Sequence, residues 1–238
     1  MPEIMLNGPE GRLEARYSPS KQVGAPTALV LHPHPQHGGT MNNRVTYALY
    51  QMFQQRGFSV LRFNYRGVGR SQGSYDQGVG ELADAAAALD WLESVCGDRS
   101  ASWVAGFSFG AWIGMQLLMR RPEIAGFISV SPPANMFDFT FLAPCPVSGL
   151  VVHGNEDELV PHQSVTKLVA KLAQQKEISV DFQTIAGAGH FYQQQLEQLS
   201  QIVGHYIDAR AASPHGLNRE RAKIVTHSRP SVKTMGAA

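Results

Sequence analysis

Short apolar runs alternate with stretches of helical spacing along most of this chain, and that alternation constrains the fold more than any other feature. Residues 27–32 (TALVLH) form a continuous apolar run bounded by Gly24 and Pro33, as a strand buried on both faces requires. Val45, Leu49, Met52 and Phe53 then fall on one helical face, with Gly57 as a stop signal. Residues 58–64 read as a strand, Leu82, Ala85, Leu89 and Leu92 as a helix, and residues 101–105 as a further strand. A helix over 109–120 is closed by Pro122, and apolar strands follow at 127–130 and 150–153. Val165, Leu168 and Leu172 mark a helix beginning near Pro161, a residue suited to a first turn. Residues 178–184 read as the last strand, and Leu196, Leu199, Val203 and Tyr206 as the closing helix. Ahead of all this, residues 3–6 and 12–17 flank Asn7-Gly8-Pro9 in the pattern of an edge hairpin. The alternation predicts an α/β fold, with a mostly parallel central sheet and helices on both faces.

At 238 residues the chain suits one domain over residues 1–210 with a short appendage. That appendage, residues 211–238, carries Arg219, Arg221, Lys223, Arg229 and Lys233 against Glu220 alone, with little apolar periodicity, and reads as a disordered basic tail. The formal net charge of +1 gives no sign of nucleic acid or of a membrane surface as partner. Cys96 and Cys145 have no metal-binding or redox spacing, and reduced thiols are expected of them. The N-terminus has no basic and apolar leader pattern, and no run approaches the roughly 18 apolar residues of a membrane span. A cytoplasmic protein is the expectation.

Gly106-Phe107-Ser108-Phe109-Gly110 is a G-x-S-x-G sequence placed after one predicted strand and before an apolar helix. A serine at such a turn is thrust clear of the sheet, and the helix start behind it favours negative charge. Its hydroxyl needs a base, and the base needs a group to hold it. His190 lies in Gly187-Ala188-Gly189-His190-Phe191 after the last strand, and Asp157 follows the strand at 150–153. Glu156 and Glu158 share that acidic loop; both read as a solvated face, with Glu158 the second choice for the acid. Ser108, Asp157 and His190 thus occur in the chain order nucleophile, acid, base, each at the end of a strand identified independently of it. For an oxyanion hole, the amide of Phe109 is one expected donor. The other is the amide of His34, since Pro33 and Pro35 on either side of it carry no N–H. His32, His34 and His37 also suit a zinc site by residue type. They lack an accompanying cysteine or carboxylate, so no metal is expected.

These motifs resemble those of the α/β-hydrolase superfamily over residues 3–209. More narrowly, the chain resembles small, lidless bacterial hydrolases related to dienelactone hydrolases and carboxylesterases. The likeness rests on H-P-H-P followed by G-G-T-M-x-N (32–43), R-F-N-x-R-G-x-G-x-S-x-G (62–73), G-x-S-F-G (106–110), a D-F and L-A-P-C-P stretch (138–146), and the histidine loop. Dienelactone hydrolases place cysteine where this chain has Ser108. The resemblance implies a serine hydrolase of esterase type.

In this fold a lid domain is commonly inserted before the strand that bears the acid; residues 131–146 are too few for one. Phe137, Phe139, Phe141 and Leu142 in that stretch either line an acyl pocket or fill the core, and the expectation adopted is substrate binding. Asn64, Arg66 and Ser71 in the 62–73 segment are expected to tie loops together rather than touch substrate. The reading as a whole is a hydrolase of short-chain carboxylic esters, acting through an acyl-enzyme without a cofactor. Its partner is a small-molecule ester, with no nucleic acid and no membrane, and homo-oligomerisation stays open. The alternatives are a peptidase or amidase using the same three residues, and a non-catalytic binding protein.

Overall fold

The computed structural model describes residues 3–97, 101–142, 144–174, 178–213 and 216–217. Eight strands form one sheet in the order β1-β2-β4-β3-β5-β6-β7-β8. β1 (Glu3–Gly8) and β2 (Gly11–Ser18) make the hairpin expected at the edge, and β2 runs antiparallel to β4 (Ser59–Phe63). The remaining pairs are parallel: β4 with β3 (Thr27–Leu31), β3 with β5 (Ser102–Phe107), β5 with β6 (Ile124–Val130), β6 with β7 (Gly149–Gly154), and β7 with β8 (Val180–Ile185). β3 to β7 are buried along their whole length, which is why their sequences read as unbroken apolar runs rather than alternating ones. β8, at the far edge, alternates instead.

The pleat divides the core in two. Ala28, Val30, Val60, Ala105 and Val152 point to one face, where α1 (Arg44–Gln55) and α5 (Leu196–Ala211) cover them. Leu29, Leu31, Leu61, Val104 and Val151 point to the other, under α2 (Val79–Cys96), α3 (Phe109–Leu118) and α4 (His162–Leu172). α1 starts where the Asn43 side chain accepts hydrogen bonds from the Val45 and Thr46 amides. At the start of α2, the Glu81 carboxylate accepts from the Gly78 and Asp76 amides. Pro161 serves as the cap of α4 rather than a member of its first turn, because its ψ of 131° is extended. No helix among the described residues is long and apolar enough to cross a membrane. The two cysteines are free thiols.

The 62–73 segment ties loops together. Asn64 accepts from the Met41 amide and donates to Glu14, whose own amide donates to Ser71 Oγ. Arg66 forms a buried fork with Asp84 at 2.8 and 3.0 Å. Among the described residues of 131–148, between β6 and β7, there is a single 3₁₀ turn (Thr140–Leu142) and no lid domain. At the C-terminus, Leu217 packs on the α1–α5 side and its carbonyl accepts from Trp103 Nε1 at 3.1 Å, so contact with the core continues past the boundary read at residue 210. All five basic positions assigned to the tail lie outside the described residues.

Candidate active site

Five strand ends converge at one edge of the sheet. β5 delivers Ser108, whose φ of 54° and ψ of −120° put it in a conformation that L side chains rarely adopt. Its amide donates to the Val130 carbonyl at the end of β6, which holds the strained turn against the sheet. A methyl group at Gly106 would collide with the Gly110 carbonyl, and one at Gly110 with the Leu31 carbonyl. The two glycines of the motif are therefore needed for the strand and helix to meet so tightly.

β7 and the loop after it deliver Asp157. Its Oδ1 accepts from the Leu159 and Val160 amides at 2.9 and 2.8 Å, leaving Oδ2 directed at the histidine loop. His190 Nδ1–H donates to that oxygen at 2.7 Å, and His190 Nε2 faces Ser108 Oγ at 3.0 Å. Burial pushes the Asp157 carboxyl up, but the His190 hydrogen bond and charge, with the Val160 amide, hold it below its ordinary value. Glu156 and Glu158 both face solvent. The three residues singled out from sequence thus form one continuous hydrogen-bonded chain.

His153, the penultimate residue of β7, lies beneath Asp157. Its Nε2–H donates to the Val160 carbonyl at 3.0 Å, and burial lowers its imidazole from the usual range against the opposing charge of Asp157. Tyr192 anchors the other side of the histidine loop, its hydroxyl 2.8 Å from Ser131 Oγ. Sequence reading missed both, since nothing in their local pattern distinguishes them from packing residues.

β3 delivers the histidine-rich loop. The His32 ring is wholly buried: Nδ1–H donates to the Pro33 carbonyl at 2.7 Å, and Nε2 accepts from the Tyr65 amide at 3.1 Å. Burial pushes this imidazole down to about 3. His34 Nδ1 accepts from the Gln36 amide at 3.2 Å, and its ring packs on Phe109 with centroids 4.9 Å apart. These rings are spent on organising the loop, and no group of three metal-ligating side chains occurs among the described residues. His34 and Phe109 border the same cavity as Ser108, and neither amide donates to another main-chain group among the described residues.

That cavity, about 420 Å³, is walled by Pro133, Met136, Phe137, Leu159 and Phe191 around Ser108 and His190. Among the described residues no Asp, Glu, Lys or Arg lines it. Of the four residues expected to bind substrate, only Phe137 is on its wall. Phe139 and Leu142 line a different cavity beside α4, and Phe141 packs against the core next to Phe139. The correction has a physical reason: Phe139 and Leu142 are buried in the core cluster on the α2–α4 side of the sheet, with Phe141 packed against it, and apolar side chains are stabilised by that withdrawal from water. Met136, Leu159 and Phe191 were missed. They stand out only in the structure, as large apolar side chains left about half exposed beside the strand ends.

Comparison with known proteins agrees with this fold. The family model described as X-Pro dipeptidyl-peptidase (S15 family) matches residues 12–142, and that of the prolyl oligopeptidase family matches residues 125–208. An uncharacterised protein of Rickettsia prowazekii is 46% identical, with 94% of this chain and 97% of the relative covered. The crystal structure of an Agrobacterium tumefaciens protein described as an α/β hydrolase is 54% identical at a TM-score of 0.88, covering 92% of this chain and 100% of that one. A serine hydrolase without a lid from Xanthomonas campestris is 32% identical at a TM-score of 0.79, covering 87% of this chain and 94% of that one. An elbow serine at the carboxyl edge of a mostly parallel sheet, a lidless β6–β7 connection and identity at this level place the chain in the α/β-hydrolase superfamily, among its lidless serine hydrolases.

Proposed function

We propose that the chain hydrolyses carboxylic esters of short acyl chains, with Ser108 as nucleophile, His190 as base and Asp157 as the group that orients it. The observation that carries this reading is the chain of contacts from Ser108 Oγ to His190 at 3.0 Å and on to Asp157 at 2.7 Å, opening on a pocket without charged side chains. His190 Nε2 takes the Ser108 proton as Oγ attacks the ester carbonyl. Asp157 keeps Nδ1 protonated, so that Nε2 presents its lone pair, and stabilises the imidazolium that results. The amides of Phe109 and His34 receive the negative oxygen of the tetrahedral intermediate, each worth about 3–4 kcal/mol in comparable sites. His190 then protonates the departing alcohol, and water repeats the sequence on the acyl-enzyme.

The peptidase reading draws support from the two family models. Against it, the described residues lining the cavity around Ser108 include no carboxylate and no Lys or Arg to anchor a peptide's termini, although Glu156 and Glu158 line the adjoining cavity that shares His190 and Phe191. Labelling by a fluorophosphonate probe, followed by turnover of matched butyryl ester and butyryl amide substrates, separates the readings. Labelling lost in Ser108→Ala and ester turnover far above amide turnover is the expected result. Labelling that survives Ser108→Ala removes the assignment of the nucleophile. Equal or greater amide turnover selects the peptidase.

A further inference from the structure

The cavity that took Phe139 and Leu142 away from the reactive pocket has a chemistry of its own. It lies between residues 134–142 and α4, encloses about 410 Å³, and is floored by Phe139, Leu142, Leu168 and Leu172. That volume is within the roughly 300–1,000 Å³ range of small-molecule sites. Ser108 and His190 do not line it; Phe137 and Ala134 are its links to the part of the chain that bounds the reactive pocket.

Where the reactive pocket has no charged lining, this one has Lys167 and Lys171 at its mouth. They are one helical turn apart on α4, so both ammonium groups rise from the same face, and like charges so placed repel each other. Neither is in an ion pair among the described residues. The acid on the lining, Asp138, is otherwise engaged: its Oδ1 accepts from the Thr140 amide and its Oδ2 from the Thr140 hydroxyl, both at 2.8 Å. Those two Thr140 bonds, with the charge of Lys171 as a lesser cause, hold the Asp138 carboxyl below its ordinary value. Among the described residues, two lysines and one aspartate leave the mouth with a single net positive charge above an apolar floor. The complement is a single negative charge at the end of an apolar chain.

We propose that this cavity is a binding site for a free carboxylic acid with an apolar chain, its carboxylate between Lys167 and Lys171 and its chain against Phe139, Leu142, Leu168 and Leu172. The chain displaces water from apolar side chains, and the carboxylate relieves the repulsion between the two lysines. A phosphate monoester, with its second charge, meets Asp138 less favourably. The inference does not depend on ester hydrolysis, so a chain inactive on esters still reports on it.

Calorimetric titration with decanoate, decanol, decyl phosphate and decyltrimethylammonium tests the assignment, with Trp112 fluorescence as a second readout because its ring stacks on Phe137 at 4.3 Å. Decanoate is expected to bind most tightly of the four. In the double variant Lys167→Gln/Lys171→Gln its affinity falls about tenfold or more, while that of decanol is unchanged. Leu168→Trp, which fills the cavity, removes binding of both. Leu159→Trp, which narrows the pocket beside Ser108, leaves decanoate affinity as it was. Equal decanoate affinity in the parent and the double lysine variant overturns the proposal, as does binding lost in Leu159→Trp and kept in Leu168→Trp. Decyl phosphate binding more tightly than decanoate overturns the choice of head group.

Discussion

His32 offers the most demanding test of how the oxyanion loop is built. The buried ring joins the loop after β3 to the one after β4 through two hydrogen bonds, and both need the neutral form with its proton on Nδ1. Burial pushes its pKa down to about 3, whereas an unfolded chain exposes an ordinary imidazole near 6.5. Between those values the unfolded state holds a proton that the folded state does not, so stability falls as pH falls. The loss begins near the unfolded value and saturates only below the folded one. From about pH 7.5 to about pH 5 the contribution is about 2 kcal/mol. His34 and His153 are lowered as well and add to the slope of the parent, so the informative quantity is a difference between proteins. His32→Gln does not titrate and cannot keep both contacts. It is expected to be less stable at neutral pH by about 1–3 kcal/mol, because a buried group loses its partner. It is also expected to lose less stability than the parent on acidification, by the same roughly 2 kcal/mol. Urea denaturation at several pH values, with reversibility established at each, measures both. Parallel pH profiles for parent and variant refute the reasoning, because they mean that the His32 ring accepts a proton in the folded state.

The other predictions concern the reactive edge. Asp157→Asn is expected to lower turnover by about four orders of magnitude, by trapping the wrong His190 tautomer, while Glu158→Gln is mild; steady-state ester kinetics on both variants decides which acid serves His190. His34→Ala keeps the main-chain amide and lowers turnover modestly through lost packing on Phe109, whereas His34→Pro deletes the amide and lowers it about 100- to 1000-fold, with circular dichroism confirming that both remain folded. Asp84→Ala leaves the buried Arg66 guanidinium without its fork and is expected to destabilise the fold by about 3–5 kcal/mol in urea denaturation. Acetyl to butyryl esters are expected to exceed decanoyl and longer ones in kcat/KM, because each methylene left outside an unlidded pocket forgoes about 0.8 kcal/mol; a value that keeps rising with chain length removes that preference.

Much of the architecture was legible before any coordinates. Strands buried on both faces must be apolar throughout, so β3 to β7 announced themselves as runs, and the helices between them as stripes at helical spacing. Ser108 was legible because its conformation leaves a local mark: only glycines fit where Gly106 and Gly110 bring strand and helix into contact. Asp157 and His190 were legible through their places at strand ends and through the order of the three residues.

The pocket was not legible in this way. Phe137, Phe139 and Leu142 look alike in sequence, yet the first walls the reactive pocket as well as the cavity beside α4, while the other two line only that second cavity, with Lys167 and Lys171. Likewise, nothing local distinguishes His32, locked between two main-chain groups, from His34, whose ring borders the pocket. Sequence by itself determined which segments are buried and where the backbone must turn sharply, because burial and backbone conformation restrict residue type position by position. Tertiary structure alone decided which side chains face one another across β3, β6, β7 and α4, because that depends on how separate segments pack, and many residue types satisfy the same packing.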